Sequence, residues 1–181
     1  MEKREPVLSM RDLAVSFQAS FGKIRAVRGV NMDVYPGETV AIVGESGSGK
    51  SVSVKTIMGI TAPNAVIESG TIKFRFKENG KEQVVDLLKL SKKEMQHRIK
   101  GKRIAMVFQD PMTSLNPTMR IGKQIEEVFV GRKGMSAAEK KAKALEILKM
   151  VGISDGERRY KQYPHELSGG MKQRVMIAIA L

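Results

Sequence analysis

At 181 residues the chain is long enough for one domain with a sizeable core, and its 41% hydrophobic content marks it as globular rather than disordered. No apolar run approaches the ~18–20 residues of a membrane span, and Met1-Glu2-Lys3-Arg4-Glu5-Pro6 lacks the apolar core of a signal peptide. The absence of cysteine excludes disulfides and thiolate chemistry, while 32 basic residues against 19 acidic ones (net charge +13) point to an anionic neighbour, either nucleic acid or a membrane surface.

Residues 7–17 read as a strand with Leu13, Val15 and Phe17 on one face. Gln18 to Lys23 is a turn, and 24–35 is a second strand in which Val30, Met32 and Val34 alternate with polar neighbours until Pro36-Gly37 ends it. Thr39-Val40-Ala41-Ile42-Val43 is a short β-rich apolar run of the kind a buried parallel strand needs. It leads into Gly44-Glu45-Ser46-Gly47-Ser48-Gly49-Lys50-Ser51, which fits the pattern G-x-x-x-x-G-K-[ST]. A helix follows from Val52 to Met58, with Gly59 at its C-terminal cap.

Strand, glycine loop and helix form the context of a phosphate-cradling loop. Glycines let the backbone turn sharply and bring its N–H groups close to phosphate oxygens. The helix N-terminus adds free donors and partial positive charge. Lys50 is expected to reach the β- and γ-phosphates, and the Ser51 hydroxyl to ligate Mg²⁺.

Thr61 to Gly70 reads as a loop, then Ile72, Phe74 and Phe76 alternate with Lys73, Arg75 and Lys77 in a half-buried antiparallel strand. Asn79-Gly80 is a hairpin signal before a return strand at Gln83–Asp86. Ser91 and Glu94 form a capping box opening a short helix that ends near Gly101, and 104–108 is a second buried strand closed by Gln109-Asp110-Pro111. Pro111 to Pro117 is a loop; Ile121, Ile125, Val128 and Phe129 recur at helical spacing; Gly131 to Gly134 breaks that helix. Ser136 and Glu139 open another helix, whose buried stripe is Ala142, Leu145, Leu148 and Val151 and whose end is Gly152. Ser168 caps the last helix, from Gly169 to the terminus.

Leu167-Ser168-Gly169-Gly170-Met171-Lys172-Gln173-Arg174 is a second anion-directed stretch, with two glycines, a hydroxyl and a helix N-terminus. Together with the upstream loop it resembles the signature of the ATP-binding-cassette (ABC) transporter ATPases. Gln109 matches the glutamine between those two motifs, and Phe21, before Gly22, matches the family's adenine-stacking aromatic. Phe108 to Pro117 and Tyr163-Pro164-His165-Glu166-Leu167 make the likeness closest to the ATP-binding subunits of oligopeptide and dipeptide importers.

The resemblance implies an α/β fold: a P-loop NTPase (RecA-like) core at about 39–60 and 103–110, an antiparallel β subdomain with strands at about 7–35 and 70–86, a helical subdomain at about 111–166 and the signature helix 168–181. It implies that Phe21 stacks on adenine and that Gln109 faces the metal and the attacking water. Ser168, Gly169 and Gly170 are then expected to contact the γ-phosphate of ATP held by a second ATP-binding subunit, in a homo- or heterodimer. ATP and Mg²⁺ are the implied cofactors, transmembrane permease subunits the implied partners, and the cytoplasmic face of the membrane the implied location. The basic clusters (Lys92-Lys93, Arg98 to Arg103, Lys140-Lys141-Lys143, Arg158-Arg159-Lys161) lack interleaved stacking aromatics, which favours a solvated face near phospholipid headgroups over nucleic acid.

The family pattern continues past its signature helix into an apolar strand ending in Asp-Glu, and this sequence stops at Leu181 without that pair. The fold is therefore expected to be incomplete at the C-terminus, and the 181 residues to bind nucleotide with little hydrolysis alone, since phosphoryl transfer needs an oriented water as well as a cradle. The alternative is a non-hydrolytic nucleotide-binding module that docks on a partner.

Overall fold

Two apolar clusters organise the chain, each inside its own unit, Met1–Ile104 and Ala105–Leu181. The computed structural model describes residues 4–110, 114–130 and 134–181.

In the first unit, β1 (Leu8–Ala19), β2 (Gly22–Val34), β3 (Ala65–Glu78) and β4 (Lys81–Asp86) form one antiparallel sheet in the order β2-β1-β3-β4. Its β1–β2 hairpin closes at Ser20-Phe21, with Ala19 paired to Gly22. Asn79 and Gly80 both have positive φ (52° and 76°), as the tight hairpin between β3 and β4 requires.

Met10 and Leu13 are both fully buried although three residues apart, which strict alternation forbids. The ladder slips between them, and Asp12, at φ 47°, supplies the kink and donates its N–H to Asn31 Oδ1 at 2.9 Å. Gly70 allows the close approach opposite: a Cβ there would lie 2.7 Å from Leu13 Cα. The bulge thus returns the second half of β1 to the core face. On that face Leu8, Met10, Leu13, Val15, Val27, Ile72, Phe74 and Phe76 pack with Ile57 of α1 (Lys50–Ile57).

Ser91 and Glu94 cap α2 (Lys92–Glu94), which runs on as a π-helical turn, Met95–Ile99, burying Met95 and Ile99. Arg103 lies 4.0 Å over the Phe76 ring, and both Arg98 and Arg103 bond the Glu78 carboxylate.

Three expectations are corrected here. Residues 39–43 form no strand, and Val40, Ile42 and Val43 are exposed, Val43 at 91%. Residues 105–108 likewise form none; the only pairing described there is an isolated bridge from Lys100 to Ile104, and Val107 and Phe108 are exposed. A parallel strand exists only through neighbours on its flanks, and the four antiparallel strands pair among themselves, leaving these runs without a ladder among the described residues. Third, the expected loop at 61–70 is strand from Ala65 onward, because Phe17, Ser16, Val15 and Ala14 of β1 offer partners to Ala65, Val66, Ile67 and Ser69.

The second unit is helical: α3 (Ile121–Glu126) with a 3₁₀ turn Glu127–Phe129, α4 (Ala137–Met150), α5 (Gly156–Lys161), a 3₁₀ turn Pro164–Glu166, and α6 (Gly169–Ala180). Ile121, Ile125, Ala144, Leu148, Ile153, Val175 and Ala178 form its core. Tyr160 packs on the bare backbone of Gly122, where a Cβ would lie 2.1 Å from the ring. The Tyr160 hydroxyl donates to Glu126 Oε1, and Lys123 Nζ bonds Glu126 Oε2 at 2.7 Å.

In α4, Leu148 of the expected stripe is buried and Leu145 and Val151 pack against the core, while Ala142 is exposed and Ala144 takes the buried place. Ser136 does cap this helix through a full box with Glu139. Pro111, Met112 and Thr113 of the Phe108–Pro117 stretch, and 131–133 of the expected break, lie outside the described residues.

Candidate functional site

The 44–51 loop leads directly into α1, which begins at Lys50. Gly47 (φ 82°) and Gly49 (φ 91°) hold conformations that side chains disfavour. At Gly49 the demand is double, since a Cβ would lie 2.5 Å from the Ala26 carbonyl oxygen of β2. This close seat fixes the end of the loop on the sheet. Gly44 to Ser48 are exposed, as is Ser51. Ser53 N–H donates to Gly49 O at 2.9 Å, starting the helical ladder and leaving the first-turn N–H groups for other acceptors.

Lys50 curls over this loop. Its ammonium donates to Gly44 O at 2.7 Å, Glu45 O at 2.5 Å and Ser48 Oγ at 3.2 Å. The cation is therefore already seated at the loop, on weak neutral acceptors. A phosphate brought there would compete for the ammonium with full negative charge, the stronger partner. The donor set fits a polyphosphate chain: one ammonium, the Ser46, Ser48 and Ser51 hydroxyls and a helix N-terminus. For a divalent cation this loop offers the Ser51 hydroxyl, and no cluster of three acidic or histidine side chains suited to a metal occurs among the described residues.

Phe21 stands at the β1–β2 turn, 82% exposed, with a ring face open to a ligand. The base of that hairpin is tied to β3: Lys23 Nζ bonds Glu68 Oε1 at 2.7 Å and the buried Ser16 hydroxyl donates to the same oxygen at 2.5 Å. Lys23 first, then Ser16, hold the Glu68 carboxyl below its ordinary value of 4.5.

Gln109 and Ser168 to Gly170 belong to the second unit. Gln109 lies in an exposed, irregular stretch, and the Ser114 hydroxyl donates to the neighbouring Asp110 carbonyl at 2.7 Å. Ser168 is the N-cap of α6: its Oγ accepts from Met171 N–H at 3.4 Å, and its carbonyl from Lys172 N–H at 3.0 Å. Gly169 and Gly170 are exposed, and a Cβ on either would meet nothing within 4 Å. Neither has a positive φ. Packing among the described residues therefore asks for glycine at neither position; a close approach from outside them would.

The chain belongs to the ABC transporter family, whose model matches residues 27–181. It is 51% identical over 176 residues to the oligopeptide transport ATP-binding protein OppD of Bacillus subtilis (strain 168), covering 97% of this chain and 47% of that protein. It is 50% identical over 178 residues to the dipeptide transport ATP-binding protein DppD of Lactococcus lactis subsp. cremoris (strain MG1363), covering 98% and 48%. The chain thus spans about half the length of the curated relatives it matches. Among solved structures, the dimeric bacterial ABC transporter cassette MJ0796 is similar at TM-score 0.78 and 30% identity, covering 96% of this chain and 68% of that one. The same cassette in a dimeric post-hydrolysis state bound to ADP and Pi gives 0.75 and 28%, with the same coverage. The fold is that of an ABC ATPase cassette, an α/β P-loop NTPase with antiparallel β and helical parts. Phe21 precedes the matched residues, and all the other expected site residues fall inside them.

Proposed function

We propose that this chain is the ATP-binding, energy-coupling portion of a peptide-importing ABC transporter. The observation that carries the reading is the Lys50 ammonium seated over a glycine loop that Gly49 anchors on β2. The β- and γ-phosphates of ATP take Lys50 from the Gly44 and Glu45 carbonyls and meet the first-turn N–H groups of α1. Ser51 would supply one ligand to Mg²⁺, and Gln109 would face the metal and the attacking water. Phe21 stacks on adenine. Mg²⁺, when bound, would supply charge neutralisation for phosphoryl transfer.

Ser168, Gly169 and Gly170 meet the γ-phosphate on a second ATP-binding subunit, which explains two glycines that no contact among the described residues requires. The helical segment from Pro111 to about Glu166 docks on the permease subunits at the cytoplasmic face. Consistent with a peripheral position, no helix among the described residues is long and apolar enough to cross a membrane. In the three-part division, 39–60 and 103–110 belong to the nucleotide-binding core. The 181 residues hold no Asp-Glu pair, so nucleotide binds but turns over slowly without that carboxylate.

Calorimetry with ATP tests this. Lys50→Ala is expected to weaken binding by at least ~10-fold, the loss of a charge-assisted contact; unchanged affinity overturns the reading. Ser168→Arg is expected to leave ATP affinity intact and to abolish nucleotide-driven pairing, followed by light scattering. Rapid turnover by the unpaired 181-residue chain would show that the catalytic groups lie elsewhere.

A further inference from the structure

α4 ends in a complete left-handed cap. Val151 is the last half-helical residue, and Gly152 turns the chain at φ 73°. Gly152 N–H donates to Lys149 O at 3.0 Å and Ile153 N–H to Leu148 O at 2.9 Å, with Ile153 and Leu148 both buried. This leaves the Val151 and Gly152 carbonyls without helical donors. Arg174, in the second turn of α6, fills that need: its Nη1 donates to Val151 O and to Gly152 O, both at 3.0 Å. A Cβ on Gly152 would lie 2.4 Å from this nitrogen. Gly152 therefore serves both as the left-handed turn and as the seat of the guanidinium.

The clasp joins the negative end of α4 to α6 six residues beyond Ser168. Ser168, Gly170, Met171, Gly152 and Arg174 share the lining of one cavity of about 370 Å³. Val175 and Ala178 seat α6 in the core, and Leu167 and Met171 hold its start against the same core; Arg174 adds the polar contact that ties this helix to the end of α4. Ser168 and its two glycines project from the first turn of α6.

We infer that Arg174 is a positioning residue: by clasping the C-terminal carbonyls of α4 it aims the first turn of α6, and with it Ser168–Gly170, at the γ-phosphate. The aim at phosphate rests on the function proposed above; the clasp itself does not. A lysine ammonium ends one bond short of the Nη1 position on a flexible stem, so it recovers only part of the clasp.

Hydrogen exchange on the 181-residue chain tests the clasp without requiring pairing. Arg174→Ala is expected to raise exchange at 151–153 and 168–172 about fivefold, while the interiors of α3 and α4 stay protected. Arg174→Lys recovers part of the protection. Gly152→Asn, which tolerates the left-handed turn but carries a Cβ into the guanidinium's seat, repeats the alanine effect. A uniform rise across the whole second unit would show a merely structural residue, and no change at 168–172 would show that Arg174 aims nothing; either result overturns the inference. For the role toward phosphate, Arg174→Ala is expected to raise the ATP concentration for half-maximal pairing about fivefold, with ATP affinity of the single chain unchanged. If Ser168→Arg leaves pairing intact, the proposed function fails. If Ser168→Arg abolishes pairing and Arg174→Ala does not disturb it, the inference alone fails.

Discussion

Glu78 sits between two guanidinium groups at the end of β3. Arg98 bonds one carboxylate oxygen at 2.8 Å and Arg103 the other at 3.1 Å. Arg98 chiefly, then Arg103, hold this carboxyl below its ordinary value of 4.5 against partial desolvation. A folded pKa below the unfolded one means a contribution fully present above the ordinary value and lost as pH falls through the folded value. The thermal midpoint of the first unit is therefore expected to fall on acidification below pH 4.5, and Glu78→Gln to remove that part of the slope. An identical pH profile in the variant would refute the assignment. Residue-scale chemistry of this kind is partly hidden in sequence. Lys50 and Ser168 announce themselves through fixed spacing, whereas Glu78, Arg98 and Arg103 meet only because a hairpin and a π-helical turn bring them together.

Among the elements, the two capping boxes were legible because every contact in them is local. Ser136 Oγ accepts from Glu139 N–H at 3.2 Å, and the Glu139 carboxylate accepts from Ser136 N–H at 2.7 Å. Ser136→Ala is expected to cost about 1 kcal/mol, read from urea unfolding followed through the helical signal, and Ser136→Asn to restore most of it. Equal stability of wild type and the alanine variant would mean that α4 is held by packing alone. Residues 39–43 teach the converse. Their composition suits a buried strand, but a strand is a relation between segments, and here no described segment takes the other side of the ladder. The β1 bulge was also illegible, since Asp12 and Gly70 are ordinary residues until the register sets them opposite each other.

Across the whole molecule, two separate clusters imply two separately perturbable cores. Gly49→Ala combines a φ of 91° with a Cβ 2.5 Å from the Ala26 carbonyl, and Gly122→Ala drives a Cβ into the Tyr160 ring. Each is expected to cost at least ~1–3 kcal/mol, the range for overpacking. In calorimetry the two variants should shift different parts of the unfolding profile: Gly49→Ala that of the sheet unit, Gly122→Ala that of the helical unit. One transition moved equally by both would show a single cooperative core.

Taken alone, the sequence determined the glycine loop that leads into α1, the capped helix starts and the family, because these depend on residue types at short fixed spacings. Only the tertiary structure decided that Ala65 to Ser69 join a strand and that Ala142 faces outward while Ala144 is buried. It also decided that Lys50 rests on its own loop, and that Arg174 closes the end of a helix 22 residues before it. Partners distant along the chain are chosen by register and close packing, which no local pattern encodes.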